Sequence, residues 1–100
     1  MKIELLYFDG CPHHEPLLTH LRELLAGAGV RESVELREID ADGAGGERFL
    51  GSPTVRVDGR DVEPGAEARD DFALQCRLYR TDDGLRPTPP VGWILAALRA

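Results

Sequence analysis

Ile3-Glu4-Leu5-Leu6-Tyr7-Phe8-Asp9-Gly10-Cys11-Pro12 is the stretch on which the fold turns. Its first six residues are apolar at almost every position, which suits a central strand buried on both faces. A cysteine follows where the apolar run stops. Beyond it, Leu17, Leu18, Leu21, Leu24, Leu25 and Ala28 recur at helical spacing and predict a helix with one buried face, ended by Gly27 and Gly29. A cysteine at such a junction faces unpaired N–H groups and the positive end of the helix dipole, both of which favour thiolate over thiol. Pro16 works against this, because a residue without an N–H moves the helix start toward Glu15 and leaves Cys11 in a loop.

From Ser33 to Ile39 polar and apolar residues alternate, with Val34 and Leu36 on one side and Glu35 and Arg37 on the other, which predicts a second strand. Strand, helix and strand together make a βαβ unit with a parallel pair. Residues 40–46 are small, acidic and Gly-rich and read as a loop leading into a helical turn at Glu47 to Leu50. Ser52-Pro53 then opens Thr54-Val55-Arg56-Val57, and Asp58-Gly59 is a strong hairpin signal that returns the chain through Arg60-Asp61-Val62. Residues 63–71 read as an exposed acidic loop. Leu74, Cys76 and Leu78 alternate with Gln75, Arg77 and Tyr79, predicting a further strand with Cys76 on its apolar face. A Pro-rich linker ends at Pro90, and Val91, Ile94, Leu95 and Leu98 form the buried stripe of a closing helix. The fold class expected is therefore α/β, with a central mixed sheet flanked by helices in a single domain spanning residues 1–100.

Bulk properties narrow the function. A chain of 100 residues, 42% hydrophobic and 30% charged, has the composition of one water-soluble domain, and no apolar stretch reaches the length of a membrane span. A net charge of −6 with scattered Lys and Arg argues against a nucleic-acid partner. Two cysteines far apart do not make a disulfide scaffold. The chain opens with a strand rather than a basic segment and an apolar core, so a cytoplasmic location is expected. Neither a membrane partner nor a cofactor is called for by any motif.

Gly10-Cys11-Pro12, together with Phe49-Leu50-Gly51-Ser52-Pro53-Thr54-Val55-Arg56-Val57-Asp58-Gly59 and the element order around them, resembles the thioredoxin superfamily. The likeness covers nearly the whole chain and is nearest to small bacterial thioredoxin-like proteins, some labelled as similar to alkylmercury lyases. It implies a thioredoxin-like fold in which Cys11 is the attacking thiol and Pro53 is cis and faces it. Cys11 and His14 would then be catalytic, and Pro12, Ser52, Pro53 and Thr54 would bind the substrate, a thiol- or disulfide-bearing protein or small molecule. His14 stands where a dithiol enzyme of that superfamily has its second cysteine, so no Cys-x-x-Cys disulfide can form. Asp9 and Gly10 precede the thiol where many glutaredoxins carry a cation, and no Gly-Gly-x-Asp-like signature follows the hairpin, so glutathione is not indicated. Organomercurial lyases use two cysteines and an aspartate. This chain offers Cys11, Cys76 and Asp9, Asp70 and Asp71, at a different length and spacing.

Other readings stay open beside this one. Cys11, His13, His14 and His20 are soft-metal ligand types, yet His13 and His14 point about 100° apart on a helix and His20 lies about 9 Å further along. Only Cys11 and His14 converge, which is short of a closed zinc site, so no metal is assigned. His14 then serves the thiol as a hydrogen-bonding neighbour. Cys76 is either a core residue between Leu74 and Leu78 or a resolving thiol. The alternative to a thiol–disulfide oxidoreductase is a non-enzymatic module that binds a soft metal or a partner through the same surface. Cys11, at a loop–helix junction, is expected to react with iodoacetamide faster than Cys76 on its apolar strand face.

Overall fold

A computed structural model describes residues 1–99. Strand β1, Ile3–Tyr7, is followed by helix α1, His14–Gly27, and strand β2, Val34–Glu38. Strands β3, Thr54–Val57, and β4, Arg60–Asp61, form the hairpin. After a 3-10 turn at Ala66–Ala68 come β5, Tyr79–Thr81, β6, Gly84–Arg86, and helix α2, Val91–Arg99. The four-stranded sheet has the order β2-β1-β3-β4. β1 runs parallel to β2 with Leu5 level with Leu36, and antiparallel to β3 with Leu5 level with Val55 and Leu6 level with Thr54. The protein is thus α/β with a mixed sheet and two helices. No helix among the described residues is long and apolar enough to cross a membrane.

The alternation of β1 explains why it lies in the centre. Ile3 and Leu5, with Val55 and Val57 of β3, meet Leu17, Leu21 and Leu25 of α1 and Ile94 of α2 on one face. Leu6 points the other way and packs with Ile39, Ala44 and Phe49. Fully burying each of these large apolar side chains contributes about 1.5–3 kcal/mol, so β1 is held from both sides. Glu4 is the polar exception. Its buried carboxylate accepts from Arg37 at 3.0 Å and lies 3.7 Å from Lys2 Nζ.

The hairpin closes as the Asp-Gly pair predicts, with positive φ at both Asp58 (52°) and Gly59 (83°). Elsewhere the sequence expectations need correction. Residues 41–48 form a run of turns instead of a loop and a helical turn at 47–50. On α2, Ile94 is buried but Val91 is exposed, and Trp93, Ala97 and Leu98 pack on the core beside Ile94.

The largest correction falls on residues 74–79. They are not a strand of the main sheet, and the buried side of their alternation is opposite to the one expected. Arg77 and Tyr79 are buried, whereas Leu74, Cys76 and Leu78 are exposed, Leu78 by 55%. Arg77 wins the interior place because its partners are already there. Its guanidinium donates to Asp61 at 2.6 and 3.0 Å, to Glu63 at 3.3 Å and to Thr54 Oγ1 at 2.8 Å, and lies over the Tyr79 ring at 4.4 Å. The Tyr79 hydroxyl donates to the carbonyl of Pro53. A guanidinium that would be costly to bury alone is thereby paired through both terminal nitrogens, while its buried Nε has no hydrogen-bond partner among the described residues.

Candidate functional site

β1 runs toward Cys11 and the antiparallel β3 runs away from Pro53, with Leu6 and Thr54 side by side. The two connecting loops therefore emerge at the same end of neighbouring strands. Gly10, at φ +92°, turns the chain after β1, and the Cys11 N–H donates to the Phe8 carbonyl at 3.2 Å. The side chain of Cys11 is buried, 5% exposed.

α1 begins at His14, after a His13 N-cap that makes no side-chain capping bond, so Cys11 lies before the helix and not in its first turn. Pro16 falls at the third helical position, where the missing N–H would have had no intrahelical partner. The first α-helical bond runs from the Leu17 N–H to the His13 carbonyl at 3.2 Å.

His14 is fixed by two contacts. Its ring stacks on Tyr7, with centroids 4.1 Å apart and planes 8° from parallel, and Nδ1 donates to the Cys11 carbonyl at 2.9 Å. A carbonyl only accepts, so Nδ1 carries the proton and Nε2 is the acceptor nitrogen of the neutral ring. His14 thus holds the cysteine's main chain. His13 and His20 are not drawn in, and among the described residues no three His, Cys, Asp or Glu side chains are arranged to hold a metal ion.

On the other loop the Ser52-Pro53 bond is cis. Pro12 is exposed, but Ser52, Pro53 and Thr54 are all buried. Thr54 Oγ1 donates to the Gly51 carbonyl at 2.6 Å. Residues 73–77 run alongside this loop: Ala73 N–H donates to Phe49 O at 3.0 Å, Ser52 N–H to Gln75 O at 2.8 Å, and Arg77 N–H to Ser52 O at 3.0 Å. Both main-chain groups of Ser52 are therefore taken within the chain. Gly51 permits the close approach, since at φ +125° a Cβ there would sit 2.9 Å from Gln75 O. Ser52 Oγ is buried with no hydrogen-bond partner among the described residues.

Cys76 pairs with Ser52 in an isolated parallel bridge, which brings both cysteines to the Ser52-Pro53 end of the sheet. Both are free thiols, and the exposed one is Cys76. The placement of Cys76 on an inward apolar face, on which the expected order of reactivity rested, is corrected, because the 74–78 alternation turns Cys76 outward while the loop after β1 folds Cys11 inward. Asp9 and Asp70 are exposed, and Asp71 is engaged by Arg69 at 2.7 Å, a hydrogen bond that holds its carboxyl below the usual range.

The Arg77, Asp61, Glu63 and Tyr79 cluster, which braces the loop, was missed in the sequence. The signal available was the polar half of the 74–79 alternation lying downstream of two acids. A groove of about 1160 Å³ with Arg48, Arg56, Phe72, Trp93 and Ala97 in its wall lies elsewhere and includes none of Cys11, His14, Ser52, Pro53 or Thr54. Comparison with protein families, curated proteins and solved structures finds no match to the chain.

Proposed function

We propose that this is a thioredoxin-like protein in which Cys11 carries out thiol–disulfide exchange with a disulfide-bearing protein or small molecule in the cytoplasm. The observation that carries the reading is the placement of the Cys11 loop and the Ser52-Pro53 loop at one end of adjacent strands β1 and β3. The strand order, the parallel β1 and β2 pair, and both helices on one face support the fold assignment.

In the proposed step the Cys11 thiolate attacks one sulfur of the substrate disulfide. A new S–S bond forms, the old one breaks, and the second substrate sulfur leaves as a thiolate. One thiolate of an external dithiol then attacks the Cys11 sulfur of the mixed disulfide and expels the substrate thiolate. The second thiolate of the dithiol attacks the reductant's own sulfur in the Cys11–reductant bond, so the dithiol closes to a disulfide and Cys11 leaves as a thiolate. His14 acts as a positioning residue through the Cys11 carbonyl. Ser52 Oγ supplies an uncommitted hydroxyl at the same end. Because the Ser52 main chain is occupied by Gln75 and Arg77, a substrate docks first through exposed Pro12, and docking at Ser52 requires residues 75–77 to yield.

The test is turnover of a small disulfide with excess dithiol. Cys11→Ser is expected to abolish catalysis with the fold intact by circular dichroism, and Cys76→Ser to retain it. Turnover that survives Cys11→Ser, or its absence from the unmodified protein, overturns the proposal.

A further inference from the structure

β2 is a free edge of the main sheet and, at five residues, a longer one than the two-residue β4 at the other side. Its outward row of main-chain groups can be assigned. Ile39 N–H donates to Tyr7 O at 2.7 Å, and Tyr7 is level with Glu38. In a parallel ladder alternate residues turn both groups to the same neighbour, so Glu35, Arg37 and Ile39 serve β1. Val34, Leu36 and Glu38 therefore present their N–H and C=O groups outward. Leu36 also leaves its side chain 47% exposed beside the buried Leu5, on the face that carries the helices.

We propose that β2 is a dimerisation edge that pairs antiparallel with β2 of a second copy, with Leu36 on the two-fold axis. Main-chain geometry restricts the options, because outward residues must meet outward residues and the axis must pass at the level of a residue. At Glu35 the axis would set Glu35 against Glu35 of the other copy, and at Arg37 it would set Arg37 against Arg37. Both registers oppose like charges. With Leu36 on the axis, Glu35 faces Arg37 in both symmetric positions, Leu36 covers Leu36, and Val34 pairs with Glu38. Every outward main-chain group of β2 is then used. On the face opposite the helices Arg37 already holds Glu4 and Glu47, so it meets the incoming Glu35 in a fixed position.

Charges on an edge strand also serve to keep edges apart, and the experiment separates the two outcomes. In a Cys76→Ser background, Leu36→Cys places its thiol opposite itself, with Cα atoms about 5.5 Å apart in a hydrogen-bonded pair, inside the range a disulfide accepts. Glu38→Cys is the control, its own counterpart being roughly 13 Å away along the strand. The expected result is a covalent dimer that forms at least tenfold faster for Leu36→Cys than for Glu38→Cys. Sedimentation equilibrium of the unmodified chain should show mass rising with concentration from 11.0 kDa toward twice that value. Glu35→Arg, which sets cation against cation twice, should raise the dissociation constant about tenfold. Equal cross-linking at the two positions, or monomer mass at every concentration, overturns the proposal.

Discussion

Replacing Arg77 by Met, beside Leu78→Ala, tests which side of the 74–79 alternation is inside. Arg77 has a side chain 1% exposed, and its carboxylate partners Asp61 and Glu63 are 12% and 16% exposed. Removing one member of a buried ion pair costs about 3–5 kcal/mol when the remaining charge is sealed off. Here the acids keep some access to water, and Glu63 retains Arg69 at 3.1 Å, so the lower end applies, about 3 kcal/mol. For a domain of this size that corresponds to a fall in Tm of roughly 12–24 °C. Leu78, more than half exposed, should lose less than about 0.5 kcal/mol on truncation, whereas a core leucine would lose about 2–5. Urea unfolding followed by far-ultraviolet circular dichroism measures both. A loss below about 1 kcal/mol for Arg77→Met together with about 2 or more for Leu78→Ala would refute the placement and restore the apolar-inside alternation.

Iodoacetamide should modify Cys76 before Cys11 in the native protein, by roughly tenfold in rate, as read by peptide mass spectrometry, since only Cys76 is exposed. Gly51→Ala should cost about 2 kcal/mol or more in urea unfolding, because the new methyl group meets Gln75 O at 2.9 Å with φ at +125°. Burial pushes the Tyr79 phenol well above the ordinary tyrosine value, so the native state keeps a proton that the unfolded chain releases near pH 10. Its stability contribution is complete below that pH and declines as pH rises beyond it. Unfolding free energies across alkaline pH should show this decline, and Tyr79→Phe should reduce its slope.

Much of this architecture was legible because it rests on local periodicity. The double-sided apolar run of β1, the i, i+4, i+8 spacing of Leu17, Leu21 and Leu25, and the positive-φ turn at Asp58-Gly59 each depend on residues a few positions apart. The meeting of Cys11 and Pro53 at one sheet end was expected only from the resemblance: each adjoins a strand that its own neighbours declare, but the antiparallel pairing of β1 with β3 that brings them together is a tertiary fact. The 74–79 segment is different. Hydrophobicity alone turns Leu74, Cys76 and Leu78 inward, and only the acids of β4 and the following loop, together with the Pro53 carbonyl, make Arg77 and Tyr79 the cheaper residues to bury. Accessibility of the two thiols follows the same division. The sequence by itself determined that the protein has a cysteine at a strand end and a second one far along the chain. Which thiol meets solvent was decided by long-range packing, because residues 73–77 bind the loop before β3 through main-chain hydrogen bonds and through the Gln75 amide and Arg77 guanidinium, whose partners lie far away in the chain and leave no trace in the local pattern.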